Sequence, residues 1–301
     1  KEELEKEKGV VKEEINMCLD TPEDLCLDAL SESYFGKQGL GRTILGPSKN
    51  IDLFTKEDVL KYRERFYNAD NIVLSFAGRI TFERACELAE KFFVPFVSAK
   101  KSDELSAGET ENTKGRIKIE KNIEQIHLAL AFKGVEYNAP TADVMSVVNN
   151  VLGSGMSSRL FQKIREEMGL CYTVYSYPSC YRSTGTFAVY AGVNPKSAEK
   201  AYIEIKNVLN DFKAGGITDT EFERGKAQMI SSFAFGQEST SSQMLLYGRY
   251  LMVTGGVFDM DKKLASVVSL KKDAVTELIS ALDFSSYSAA FVRKNIENIT
   301  V

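Results

Sequence analysis

Residues 153–177 read Gly-Ser-Gly-Met-Ser-Ser-Arg-Leu-Phe-Gln-Lys-Ile-Arg-Glu-Glu-Met-Gly-Leu-Cys-Tyr-Thr-Val-Tyr-Ser-Tyr. Two glycine breaks divide the stretch. Gly153 and Gly155 end an apolar helical run over 141–152 that carries Val144, Val147 and Val148. Helical spacing resumes over 159–168 and stops at Gly169, after which residues 171–177 alternate as a strand. Arg165 therefore ends a helix and Tyr172, seven residues on, begins a strand. A guanidinium and a phenol brought to one cleft could bind a peptide carbonyl, or the oxyanion formed when water attacks it. A surface Arg and a core Tyr are the simpler reading of the pair alone.

On the C-terminal side, 186–192 reads as a strand, 196–211, 218–238 and 244–253 as helices, and 268–280 and 286–294 close the chain. On the N-terminal side, 116–120 and 126–132 read as strands. Lys101 to Lys114, KSDELSAGETENTK, has no aromatic or β-branched apolar residue and reads as a linker. Before it, residues 1 to about 35 read as helix, with Val10, Val11, Ile15 and Cys18 as an apolar stripe and Pro22 at a helix start. Gly36 to Pro47 reads as a loop. Thr55 and Asp58 imitate a capping box ahead of Leu60, Tyr62 and Phe66. The run Asn71 to Ala77 suggests a buried strand, and 82–93 a further helix. Strands and helices mix without strict alternation, which predicts an α+β fold with helices on one side of a mixed sheet.

The chain has 301 residues, 44% of them hydrophobic and 27% charged, which suits two globular domains. Its formal net charge is −4, so nothing draws it to phosphate backbones and nucleic acid is not expected as a partner. No apolar run is long enough to span a membrane, so no membrane partner is expected. Cys18, Cys26, Cys86, Cys171 and Cys180 fit no zinc knuckle or CxxC pair and read as reduced thiols of a cytoplasmic protein.

Glu7 and Glu14 stand two helical turns apart and share a face, with Val10 and Val11 between them set toward the core. A carboxylate can ligate zinc, and a second can orient a ligand. Ten of the first fourteen residues are charged, so a solvated charge run is the simpler reading of spacing alone. His127 is the only histidine and reads as a neutral side chain satisfied beside a sheet. One histidine cannot complete a zinc site that needs two or three, and no Ser-His-Asp set is placed around it. Gly153-Ser154-Gly155 lacks the Lys-Ser/Thr of a phosphate loop.

Together the blocks resemble the insulinase-like, pitrilysin-type (M16) zinc metallopeptidases, nearest to their bacterial processing-peptidase branch. The resemblance is carried by Glu5 to Ile15, Gly39 to Arg42 with Ile44 to Gly46, Phe66-Tyr67, Asn71, Ser75 to Gly78, Gly153 to Phe161, Ile164 to Glu166 and Gly169 to Tyr172. It implies two homologous α+β domains of the LuxS/MPP-like metallohydrolase fold, each a mixed or antiparallel sheet with helices packed on one side. The first domain would be truncated and cover 1–98, the linker 99–115, and a second, substrate-binding domain 116–301. Glu14 would be the third zinc ligand and Glu7 an acid supporting the site. Arg165 and Tyr172 would bind the substrate backbone and stabilise the attacked carbonyl. The substrate would be an extended peptide adding to a sheet edge, and the partner a second copy or a paired M16-type subunit.

The chain departs from the family where the family's zinc helix carries His-x-x-Glu-His. The motif is absent, and the resemblance places it upstream of Lys1. Gln38-Gly39 also stands where the family commonly has His-Pro. The expectation is a fragment of a zinc metalloendopeptidase, inactive as it stands, with Zn²⁺ belonging to the longer parent and not to a catalytic site here. The competing expectation is a non-catalytic partner or scaffold subunit.

Overall fold

Ile126-His-Leu-Ala-Leu-Ala-Phe-Lys133 alternates large and small apolar side chains, and both sets are buried. Leu128, Leu130 and Phe132 face one layer of helices, whereas Ala129 and Ala131 face another. This strand is central to the sheet of a computed structural model that describes residues 2–94 and 112–294.

The sheet has five strands: β1 (Arg116–Glu120), β2 (Ile126–Lys133), β3 (Cys171–Cys180), β4 (Gly185–Val193) and β5 (Ser288–Arg293), in the order β1-β5-β2-β4-β3. β1 and β5 are parallel and the other pairs antiparallel. Against one face pack α6 (Ala142–Leu152), α7 (Ala198–Gly215), α8 (Asp219–Glu238) and α11 (Lys272–Ala281), closing the main core around Phe132, Val148, Phe187, Ile205 and Phe291. Each large apolar side chain so buried contributes about 1.5–3 kcal/mol. α9 (Thr240–Thr254) and α10 (Met260–Val268) follow α8. The result is a single mixed α+β domain.

The opposite face corrects the expectation of helices on one side only. It is covered by α2 (Pro22–Phe35), whose Cys26, Ala29, Leu30 and Tyr34 lie on Ala129, Ala131, Ala188 and Ala290. Four alanines let a helix approach the strands closely. The end of α2 is also stitched to the sheet: the Ser33 carbonyl accepts from Gly115 N (3.0 Å), Thr113 Oγ1 (2.5 Å) and Ser288 Oγ (2.9 Å).

The other elements of 2–94 are α1 (Glu2–Asp20), α3 (Ser48–Leu53), α4 (Lys56–Phe66) and α5 (Phe82–Phe92), with short 3-10 turns. The expected capping box is present, since Thr55 Oγ1 accepts from Asp58 N and Asp58 accepts from Thr55 N. The strand expected at 71–77 does not form. Ile72 is extended, with φ −122° and ψ 131°, but among the described residues this stretch has no strand beside it to complete a ladder. No second sheet appears among the described residues. The linker stretch 101–111 lies outside the described residues.

Candidate functional site

Gly153 is required by a close approach. A β-carbon there would lie 2.4 Å from Ser176 N and 2.3 Å from Ser176 Oγ, so only glycine lets the end of α6 pass beneath β3. Ser176 N then donates to Gly153 O (3.2 Å) and Ser176 Oγ to Asn149 Oδ1 (2.7 Å). Beyond the glycines the chain forms not an α-helix but a π-helix, Phe161–Glu167. Gly169, at φ +61°, turns it into β3.

The two arginines of this stretch are used differently. Arg159 spends its donors inside the fold. Nε and Nη2 reach the two carboxylate oxygens of Glu221 at 2.7 and 2.8 Å, Nη2 also donates to Gly216 O (2.8 Å), and the guanidinium lies over the Phe212 ring. Glu221 further accepts from the Thr218 N–H and hydroxyl, capping α8. Held chiefly by Arg159, its carboxyl titrates far below the usual range, at about 2. The Arg165 guanidinium makes no hydrogen bond among the described residues. Its guanidinium carbon sits 4.8 Å from the Tyr172 ring centre and 4.7 Å from that of Phe161, and its nearest carboxylate is Glu166 at 3.8 Å.

The structure thus brings Arg165 and Tyr172 together. Tyr172 is 72% exposed, at the head of β3. That strand pairs only with β4 among the described residues, so no strand covers its outer edge, where Ser176 N is already taken by Gly153 O and the end toward Tyr172 stays without a partner strand. Beside it, burial pushes the Cys171 thiol up to about 11 against the opposing pull of Arg165, so the group stays protonated and is no nucleophile.

Glu7 and Glu14 both lie on α1, exposed, with no hydrogen-bond or ion-pair partner among the described residues. Val10 between them is 52% exposed, contrary to the expectation that it faces the core; Ile15 is the one buried residue of this helix. α1 leans on α2 and α3 and leaves its Val10 side uncovered. No hydrogen bond, ion pair or ring contact joins the glutamates to Arg165 or Tyr172. His127 is half-buried and its Nδ1 lies 2.6 Å from Tyr190 Oη; burial lowers its pKa, outweighing Glu23. Among the described residues no three His, Cys, Asp or Glu side chains gather where they could hold a metal ion. Glu14 alone does not make up the three protein ligands zinc requires, so the described residues do not by themselves fit the metal.

Sequence reading missed Glu23. Its carboxylate accepts from Tyr175 Oη (2.5 Å), tying α2 to β3. Nothing local marks it, because Glu23 also reads as an ordinary acid in a first helical turn. No helix among the described residues is long and apolar enough to cross a membrane.

Comparison with known proteins agrees with this layout. Residues 53–229 match the family model described as "Peptidase M16 inactive domain". The chain is 35% identical over 290 residues to the uncharacterized zinc protease YmxG of Bacillus subtilis, covering 96% of this chain and 70% of the relative. It is 32% identical over 295 residues to an uncharacterized zinc protease of Rickettsia bellii, covering 98% and 71%. In fold it is similar to the crystal structure of a peptidase M16 inactive domain from Pseudomonas fluorescens (TM-score 0.88, 18% identity, 98% of this chain and 71% of that one). It is also similar to a protease from Helicobacter pylori (TM-score 0.85, 20% identity, 97% and 72%). The chain belongs to the M16 zinc-protease family, with residues 53–229 matching the model of its inactive domain.

Proposed function

We propose that the chain is the peptide-binding, non-catalytic portion of a zinc-dependent metalloendopeptidase. The observation that carries this reading is Tyr172, exposed at the head of an edge strand, with the Arg165 guanidinium over its ring and without a hydrogen bond among the described residues. An extended peptide can add to the outer edge of β3 through main-chain hydrogen bonds. The Arg165 N–H groups and the Tyr172 hydroxyl then donate to a peptide carbonyl. Bond breaking belongs to zinc-bearing residues outside this constellation, in a homologous first domain of which 1–98 would form the later part. In that arrangement Glu14 supplies one zinc ligand and Glu7 supports it. A second copy or a paired M16-type subunit completes the chamber. Free thiols at all five cysteines suit a cytoplasmic protein.

The test is the affinity of a fluorescently labelled, extended peptide, read by anisotropy. Arg165→Met should weaken it about tenfold or more, as loss of a charged hydrogen bond does, and Tyr172→Phe several-fold. Unchanged affinity in both variants would remove the site. Incubation of this chain with peptide and Zn²⁺ should give no cleavage products by chromatography, and products would refute the non-catalytic assignment.

A further inference from the structure

We infer that Phe161, to which the reading above gives no part, is a positioning residue for Arg165. The inference rests on the reading that Arg165 and Tyr172 bind a peptide. The guanidinium is planar, with its N–H donors in the plane and its attraction to aromatic rings through the faces. Arg159 shows the other way to hold such a group, by spending the donors on a carboxylate and a carbonyl. Arg165 is instead set over two aromatic rings, its guanidinium carbon 4.7 Å from the centre of Phe161 and 4.8 Å from that of Tyr172. Two rings at that distance restrict how the group can turn, and its N–H donors have no hydrogen-bond acceptor among the described residues, the Glu166 carboxylate standing 3.8 Å from Nε.

The backbone is shaped for this. Phe161 and Arg165 both lie in the π-helix Phe161–Glu167, a rare conformation that tends to occur at functional sites. Met168 N donating to Lys163 O (3.2 Å) shows the widened turn. Phe161 is half-buried and outside the fully buried core, so its ring is not needed to fill the interior. The ligand such an arrangement takes is a flat acceptor, here the backbone carbonyl of an extended peptide.

The experiment compares Phe161→Leu, which removes the aromatic face, with Phe161→Tyr, which keeps it. Phe161→Met serves as a second face-less variant should the Leu variant fold poorly. Peptide affinity is read by anisotropy, and the stack by the ring-current shift of the Arg165 Nε–H signal in ¹H–¹⁵N spectra. Removing the face should weaken peptide binding about five- to tenfold and return the Arg165 signal toward its random-coil position. Phe161→Tyr should preserve both, and Phe161→Leu added to Arg165→Met should cost nothing further. Wild-type affinity in the Leu and Met variants overturns the inference, as does an Arg165 signal that never leaves the random-coil position in the wild type. A ring-shifted Arg165 in a wild-type chain that binds no peptide overturns instead the peptide-site reading, and the role of Phe161 with it.

Discussion

Replacing Arg159 by Met separates the structural arginine of the 153–177 stretch from the binding one. Methionine keeps most of the aliphatic stem and deletes the guanidinium together with its contact over the Phe212 ring. Three charge-assisted hydrogen bonds vanish, two to Glu221 and one to Gly216. The pair is neither fully exposed nor fully buried, with side-chain exposures of 27% for Arg159 and 16% for Glu221. Exposed pairs contribute about 0–1 kcal/mol, and breaking a buried pair costs about 3–5 kcal/mol. Glu221 keeps the Thr218 N–H and hydroxyl after the substitution, so its charge is not stranded. The expected loss is therefore about 2–3 kcal/mol. For a domain of this size that lowers the thermal midpoint by about 4–10 °C, read by far-UV circular dichroism. Peptide affinity measured well below the midpoint should be unchanged, whereas Arg165→Met should show the reverse pattern. A midpoint within 1 °C of wild type, or an affinity loss matching that of Arg165→Met, would refute the division of labour.

Two further outcomes follow from the same region and from the titrating groups. Gly153→Ala should cost about 2–3 kcal/mol in urea unfolding, because the added carbon collides with the β3 backbone at Ser176; an unaffected midpoint would show that α6 and β3 do not meet as described. On acidification, stability should fall in two steps. Burial sets the folded pKa of His127 below its ordinary 6.5, so the unfolded chain takes up that proton first and stability is lost as pH drops through 6.5 toward the folded value. Glu221, depressed to about 2 from 4.5, contributes stability that is whole above 4.5 and lost as pH falls toward 2. After allowance for solvent screening that second step amounts to about 1–2 kcal/mol. Urea midpoints from pH 8 to pH 2 measure both steps, and Arg159→Met should shrink the second; a second step of undiminished size would contradict the assignment to Glu221.

What the sequence made legible was local. Gly153, Gly169 and the apolar spacing around them mark the breaks that set Arg165 beside Tyr172, and both glycines have a physical reason that sequence alone can signal. What stayed hidden depends on partners far along the chain. The run 71–77 announces extended backbone, but a strand exists only with a neighbour. β5 is buried at all six positions, which erases the alternation that would have marked it within 286–294. Ala129, Ala131, Ala188 and Ala290 look like ordinary apolar filler, yet their small size signals a second covered face. The π-helix was equally unreadable, since α and π spacing differ by one residue per hydrogen bond. Glu23 finds Tyr175 across 152 positions.

The Glu23 contact bears on the site as well as on the fold. Tyr175 lies on the same strand as Tyr172, three residues further on. α2 is thereby fixed to the strand that carries the exposed phenol, through the Glu23 carboxylate that accepts from Tyr175. The other end of α2 is fixed by Ser33 O to Thr113, Gly115 and Ser288. A helix anchored at both ends on a bed of alanines cannot slide without losing hydrogen bonds at one end or clashing with the strands beneath. The helices of 2–94 that rest on α2, α1 among them, are therefore held in register with β3. Glu7, Glu14, Arg165 and Tyr172 make no direct contact, but this anchoring fixes where each stands relative to the others. That is a condition any shared peptide site would require.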